Sequence, residues 1–472
     1  MLVKTYFIIN SNTENCELKI STTNQSIEFI DFGDGESLNV EEGSIYHSYQ
    51  DGYYEGYFES SCNELEISGP ISEMSELPNS LTSLKINNTF LNSLDSLNLN
   101  TSFKDLVELD ISNNKITKLE ISDSLESLET LIADNCQLTL FSNFGKSNIK
   151  QLSLNNNDFS LTGLDLKDFN LLKLNASNCK LNDYNFFISQ TIEELDLSSN
   201  DFMYLDFSSI DINLPNLTKI DLSNNLLLNS ITGFTSKIKE IIVIKSPNLE
   251  ILNLDNVINL EKINISETKI QDLDVKNLSN NIQEYSISKS KIDIEEYLDS
   301  GVEIVNLENN DLFGSLTIKN TNLKMLNLSN NKLEEITFEG DFINLEEIRL
   351  NNNNIRIIRF GNKKVSKFPK LRVLDLSNNL IENWTQSTTN CDDISNFNKL
   401  VELNLDNNNL QYFHLNRTNS ESNSNLSITL NSCLKLNFIN IGFLNYNPVR
   451  VCNLSVNNCP NLLVSNVNRI ID

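Results

Sequence analysis

Residues 320–340 read NTNLKMLNLSNNKLEEITFEG. In this stretch Leu323, Leu326, Leu328, Asn331 and Leu333 hold the first, fourth, sixth, ninth and eleventh places of a pattern L-x-x-L-x-L-x-x-N-x-L. The fourth and sixth places are two residues apart, the mark of a short strand with one buried face. Working outward, the pattern returns upstream at Val302, Ile282, Leu260, Ile238, Leu217, Ile192, Leu171, Ile149, Leu128, Leu106 and Leu81, and downstream at Leu345, Leu371, Leu400, Asn425 and Val451. Copies joined by linkers of ~15 residues can stack their strands side by side in parallel. The predicted fold is therefore mainly β, a curved solenoid of about 17 turns with a parallel sheet on its concave face.

The ninth place explains much of the composition, in which about one residue in six is Asn. After the strand the chain turns inward and leaves backbone N–H and C=O groups buried without sheet partners. A side-chain amide answers both kinds. Asn114, Asn157, Asn200, Asn225, Asn310, Asn331, Asn353, Asn379 and Asn408 are expected to form an internal ladder, with Cys136, Cys179, Cys433 and Cys459 at the same place. These thiols read as ladder members and not as nucleophiles or metal ligands, because all but the last two lie many turns apart. Ser246, Thr268 and Ser290 hold the place between Ile238 and Ile292, and turns built on a shorter hydroxyl are expected to be irregular or less stable.

A second strand-like pulse follows most copies: Leu119 and Ile121, Leu164 and Leu166, Leu205 and Phe207, Leu252 and Leu254, Leu273 and Val275, Ile336 and Phe338, Ile358 and Phe360, Phe413 and Leu415. It predicts short extended segments on the convex side and little helix.

The copies resemble leucine-rich repeats, and the segment quoted first resembles the short repeat of surface proteins of Bacteroidetes and of the phages of those bacteria. The resemblance covers residues 62–472. It implies protein binding and little chemistry, so the expected role is a non-enzymatic protein-binding or attachment module, structural or adhesive, on a phage particle (virion) or bacterial surface. The alternative is an intracellular scaffold for protein–protein interaction, and an enzyme is the third reading.

Residues 1–61 lack the repeat and hold six of the 12 Tyr. Asp31-Phe32-Gly33-Asp34-Gly35, followed by His47, Tyr49, Gly52 and Tyr54, resembles the signature of a PKD-like β-sandwich. Asp34-Gly35 reads as a tight turn needing positive φ, and the aromatic run reads as strands packing a small core. The module is expected to cap the first edge of the solenoid, or to serve as an anchor. Asp31, Asp34 and Glu36 lack the spacing of a calcium loop. Whether Cys16 and Cys62 are bridged is open.

Composition narrows the function. A formal net charge of −28 makes nucleic acid or an anionic membrane a poor partner, so neither nucleic-acid binding nor membrane insertion is expected. No apolar run reaches the ~18 residues of a membrane span. No secretory signal is recognised in MLVKTYFIIN, so a cytoplasmic or virion-associated protein is expected. Phosphate loops, nucleophile elbows and paired histidines are missing, His47 and His414 read as structural, and no cofactor or metal is expected.

Partners should be proteins, including self-association or a larger assembly. The outward concave places hold mainly small polar residues such as Asp110, Ser153, Asn175, Asp196 and Asp221, with Ile242 and Ile244 as exceptions. One basic island, Arg349, Arg356, Arg359, Lys363, Lys364, Lys367, Lys370 and Arg372, contains no Asp or Glu and is the candidate partner-binding segment, to be weighed against a solvated loop beside acidic turns. Two insertions, around Trp384 and after His414, read as surface loops.

Overall fold

The computed structural model describes residues 3–11, 16–22, 27–39, 44–50, 52–60, 62, 64–78, 80–97, 103–121, 125–143, 148–183, 186–208, 213–270, 284–287, 302–361, 367–384, 397, 399–417, 426–443, 452–463 and 467–470. Apart from one 3₁₀ turn, Leu94–Leu97, every regular element among them is a strand. No helix there is long and apolar enough to cross a membrane. The chain forms two compact units, Met1–Ile238 and Lys239–Asp472.

The first unit opens with eight strands: β1 (Val3–Ser11), β2 (Cys16–Thr22), β3 (Ile27–Asp31), β4 (Ser37–Asn39), β5 (Ile45–Tyr49), β6 (Gly52–Ser60), β7 (Glu64–Ser68) and β8 (Ile71–Ser75). One sheet runs β4-β3-β6-β1-β8. In a second, β2 pairs antiparallel with both β5 and β7. Between the sheets lie Phe7, Ile9, Leu18, Ile20, Ile30, Tyr49 and Phe58, each nearly or fully buried. The expectation that the aromatic run packs this core holds for only part of it. Tyr6, Tyr46 and Tyr53 are exposed, because alternation along a strand sends every second side chain outward.

The repeat grows directly from this module. β7 also pairs in parallel with β9 (Ser83–Asn87), the strand of the copy at Leu81, and β9 pairs with Glu108–Asp110. The parallel ladder then runs through Thr130–Ile132, Gln151–Ser153, Lys173–Asn175 and Glu194–Asp196 to Lys219–Asp221. Each strand buries its fourth-place residue and the sixth-place residue just beyond it, as Leu109 and Ile111 do, both at 0% exposure.

The second unit repeats the scheme from Glu240–Ile242 to Cys452–Ser455, again in parallel and without a slip in register. Opposite this sheet lie the expected short convex strands, among them Lys118–Ile121 and Leu164–Leu166 in the first unit, and Lys332–Phe338, Ile357–Phe360 and Tyr412–Arg417 in the second. Leu273, Val275 and Ser290 lie outside the described residues.

Phenylalanines fill the interior of the second unit. Phe338 stacks on Phe360 at 5.7 Å, and Phe342 on Phe368 at 5.1 Å. Phe397 and Trp384 join the same group, both buried. The insertion around Trp384 is thus not wholly a surface loop. Aromatic burial draws in the residues at its two ends, while residues 385–396 lie outside the description.

Candidate functional site

Three places in each turn determine what the surface can offer, and the ninth is the innermost. Asn157 donates through Nδ2 to its own turn at Leu154 O (2.7 Å) and to the preceding turn at Ala133 O (2.9 Å). Its Oδ1 accepts from Cys136 N (3.1 Å) and Leu138 N (2.8 Å) of that preceding turn. Asn200 repeats all four bonds, and Asn331, Asn353, Asn379 and Asn408 repeat the pair of donations and accept from the turn before. Asn114 and Asn310 make the same two donations. Each amide is therefore a clamp between neighbouring turns. In the first unit this ladder ends at Asn225, whose Nδ2 bonds Leu197 O and Leu222 O while its buried Oδ1 finds no partner.

The thiols make the smaller version of the same clamp. Cys136 Sγ donates to Ile111 O at 3.1 Å, Cys179 Sγ to Leu154 O at 3.0 Å, Cys433 Sγ to Leu405 O at 3.4 Å and Cys459 Sγ to Leu430 O at 3.1 Å. Burial pushes the Cys136 and Cys433 thiols up to about 11 and that of Cys179 to about 12. Thiolate is scarce at neutral pH in such surroundings, which makes these sulfurs poor nucleophiles. Cys62 is buried and free.

The eighth place was not anticipated. It adopts left-handed backbone in turn after turn, at Asn113 (φ 59°), Asn156 (58°), Asn224 (59°), Asn330 (57°), Asn352 (56°) and Asn407 (55°) among others. Asn tolerates that region far better than other residues with a Cβ. Part of the Asn bias is thus conformational, and the recurring Asn-Asn doublets were the available signal. The place is not always Asn: Ser199 (φ 59°) and Ser432 (φ 55°) hold it before Asn200 and Cys433, and Lys245 (φ 57°) and Glu267 (φ 60°) hold it in the turns where Ser246 and Thr268 replace the clamp.

The fifth place faces outward on the concave sheet, yet its polar atoms are partly committed. Oδ1 of Asp110, Asn175, Asp196, Asp221, Asn327 and Asp375 each accepts the N–H two residues on, between 2.8 and 3.1 Å, closing the bend that follows the strand. Burial raises the Asp221 carboxyl, although Ser223 donates to it through N–H and hydroxyl and so pulls it down. Many lysines are spent in rungs between turns: Lys150 with Glu129 at 2.6 Å, Lys173 with Glu194 at 2.7 Å, Lys239 with Glu261 at 2.9 Å and Lys324 with Glu303 at 2.6 Å. The exposed sheet presents mixed charge at strand spacing, with Ile242, Ile304 and Met325 as half-buried apolar positions.

The described members of the basic island do not stay together. Arg349 lies on the concave strand Glu347–Arg349, paired with Glu347. Arg356 and Arg359 flank or join the convex strand Ile357–Phe360, where Arg359 Nε meets Glu335 at 3.0 Å. Lys367 stands 4.0 Å from Asp341, Lys370 donates to Asn344 at 2.9 Å, and Arg372 is exposed ahead of the next concave strand. Lys363 and Lys364 lie outside the described residues.

In the N-terminal module Gly33 (φ 81°) and Gly35 (φ 96°) shape the Phe-Gly-Asp-Gly bend. A Cβ on Gly33 would lie 2.2 Å from Glu55 O, so glycine is required there for space as well as φ. Asp34 Oδ2 meets His47 Nε2 at 2.6 Å, the His47 ring stacks on Phe32 at 3.9 Å, and Tyr49 donates its buried hydroxyl to Phe32 O at 3.0 Å. Partial burial raises the Asp34 carboxyl, but the bonds from His47 and Glu36 N outweigh it and hold the group below its ordinary value. Among the described residues no cluster of three or more His, Cys, Asp or Glu is placed to hold a metal ion.

Comparison with known proteins follows the same lines. The tubulin-specific chaperone E of Dictyostelium discoideum is 30% identical in a match that covers 36% of this chain and 41% of that protein. The chain thus spans less than half the length of this relative. Among solved structures, the internalin InlF of Listeria monocytogenes is 20% identical across 57% of this chain and 82% of its own, with a TM-score of 0.39. YopM, a leucine-rich effector protein of Yersinia pestis, is 22% identical across 64% of this chain and 74% of its own, with a TM-score of 0.41. The family model described as Leucine Rich repeats (2 copies) matches residues 343–389, a segment that carries the Asn353 and Asn379 clamps. The turns on either side are built in the same way, and the fold of this chain is a leucine-rich repeat solenoid.

Proposed function

We propose that this chain is a non-enzymatic protein-binding solenoid. The observation that carries the reading is the parallel sheet that runs through each unit, which holds outward side chains at fixed spacing on a backbone tied from turn to turn by strand pairing and by buried amide and thiol side chains. Such a surface suits recognition of another protein over an extended area, because little ordering remains to be done on binding. The concave face of the first unit supplies both signs of charge, as in Lys173, Glu194, Asp196 and Lys219. Capture of partners by the tagged full chain, followed by repetition with Lys173→Glu and Lys219→Glu together, tests this. A captured protein lost on charge reversal supports the reading, and capture that ignores the concave face removes it.

In its finer form the proposal is attachment: a structural or adhesion component of a phage particle or bacterial surface, with residues 1–61 as a PKD-like module. The Phe-Gly-Asp-Gly bend and its contact with His47 support the second part. The intracellular scaffold is the second reading, favoured by the partial likeness to a protein named as a tubulin-specific chaperone. Fractionation of the source cells decides between them, since attachment requires the chain in particles or envelopes and a scaffold requires it in the cytosol.

A further inference from the structure

The outer face of the β4-β3-β6-β1-β8 sheet departs from the polar surface that a solvated sheet normally presents. Tyr6 lies opposite Tyr57 with ring centroids 5.9 Å apart, and Phe29 approaches Tyr57 from the other side at 5.6 Å. Tyr6 is 46% exposed, and Phe29 and Tyr57 are half-buried. Carboxylates ring these aromatics. Asp31 is paired with Tyr57, Glu59 with both Lys4 and Phe29, and Glu55 and Glu73 stand on either side of Ile8. Lys4 is the cation on this face, and its ammonium does not simply face the carboxylate across the ladder. It sits 3.3 Å from the centroid of the Tyr57 ring and 5.4 Å from that of Tyr6.

We propose that this acid-rimmed aromatic face docks a lysine- or arginine-bearing segment of a protein partner, and that Lys4 occupies the cation seat while the partner is absent. The electron-rich faces of tyrosine rings attract cations, and neighbouring carboxylates add a field of the same preference. The chain's own ammonium shows that the ring takes such a group. Exposed aromatic patches rimmed by polar residues mark interaction surfaces, and arginine and tyrosine are the side chains that most often carry their energy. The inference rests on the protein-binding reading above and adds to it a surface and a partner chemistry.

The test titrates the full chain with a fluorescein-labelled, N-acetylated tetra-arginine peptide, and with its tetra-citrulline counterpart as the uncharged control. Because the peptide is supplied directly, the outcome does not depend on capture through the concave face. Tyr57→Leu should weaken arginine-peptide binding by about tenfold, while Tyr57→Phe, which keeps the ring, should leave it within about twofold. Lys4→Ala should tighten binding by about fivefold in the parent chain and change nothing in the Tyr57→Leu background. Equal binding by Tyr57→Leu, or a Lys4→Ala gain of the same size in both backgrounds, would mean that bulk charge alone attracts the peptide, and would overturn the proposal. So would equal binding of the citrulline peptide, or a concentration-dependent dimer abolished by Tyr57→Leu, which would assign the face to a second copy of the chain.

Discussion

Two stretches of the second unit differ in one respect that teaches how this solenoid is held. In residues 323–410 the eighth and ninth places are Asn-Asn in every turn, at 330–331, 352–353, 378–379 and 407–408. In residues 239–270 they are Lys245-Ser246 and Glu267-Thr268. The doublet does two jobs at adjacent positions, tolerating the left-handed bend and then tying the turn to the one before. In the other stretch the bend is adopted by residues poorly suited to it, and Thr268 donates to Ile265 O of its own turn at 3.0 Å. A hydroxyl has one proton to give where an amide has two. Regular backbone is retained by both, so shape alone does not reveal the unequal bracing.

The largest effect should come from removing a clamp. Asn353→Ala deletes donations to Leu328 O and Leu350 O and strands the N–H of Leu333, all buried. The expected cost is about 3–5 kcal/mol, read from urea unfolding by fluorescence of Trp384. Ser246→Ala should cost only about 1 kcal/mol, and if the two losses proved equal the comparison would be broken. Next in size, Thr268→Asn should add about 1 kcal/mol by restoring the clamp; destabilisation instead would mean that these turns are spaced for a hydroxyl. Glu267→Asn and Lys245→Asn should each gain about 0.5–1 kcal/mol by relieving the left-handed bend, while Asn352→Gly should be nearly neutral in the same assay.

The smallest effect concerns pH, at Asp221 in the amide turn that precedes the hydroxyl turns. Its carboxyl is raised by burial, so protonation favours the folded state. Its contribution is fully present below the ordinary carboxylate range and is lost as pH rises through the elevated folded value. Asp221→Asn should flatten that slope. Tyrosine-monitored unfolding of parent and variant at pH 4 and pH 7 measures it, and parallel slopes would dismiss the assignment.

Much of this was legible in the residues themselves. Leucine spacing marked each concave strand, and a buried bend lacking sheet partners explained Asn at the ninth place. The eighth place escaped because a left-handed φ leaves no hydrophobic rhythm to follow. Only the doubled asparagines hinted at it. The basic island reads as one patch because its members are close in sequence, but a single turn visits the concave sheet, the convex strand and the return between them, and so scatters its described members. Conversely, Tyr6, Phe29 and Tyr57 lie far apart in the chain and become neighbours only through the registers of β1, β3 and β6. Trp384 and Phe397 sit in a polar insertion, yet the stacked phenylalanines take them inward.

The strand β7 is bonded antiparallel to β2 on one side and parallel to β9 on the other. A ladder of identical coils has no intrinsic reason to stop, and a bare coil edge can recruit a neighbouring molecule as readily as its own next segment. By reversing strand direction at β7, the protein ends its repeat on a template that a further coil cannot copy. A fragment severed before Glu64 would bare the β7 edge, and should aggregate through it where the intact chain does not, as light scattering would show.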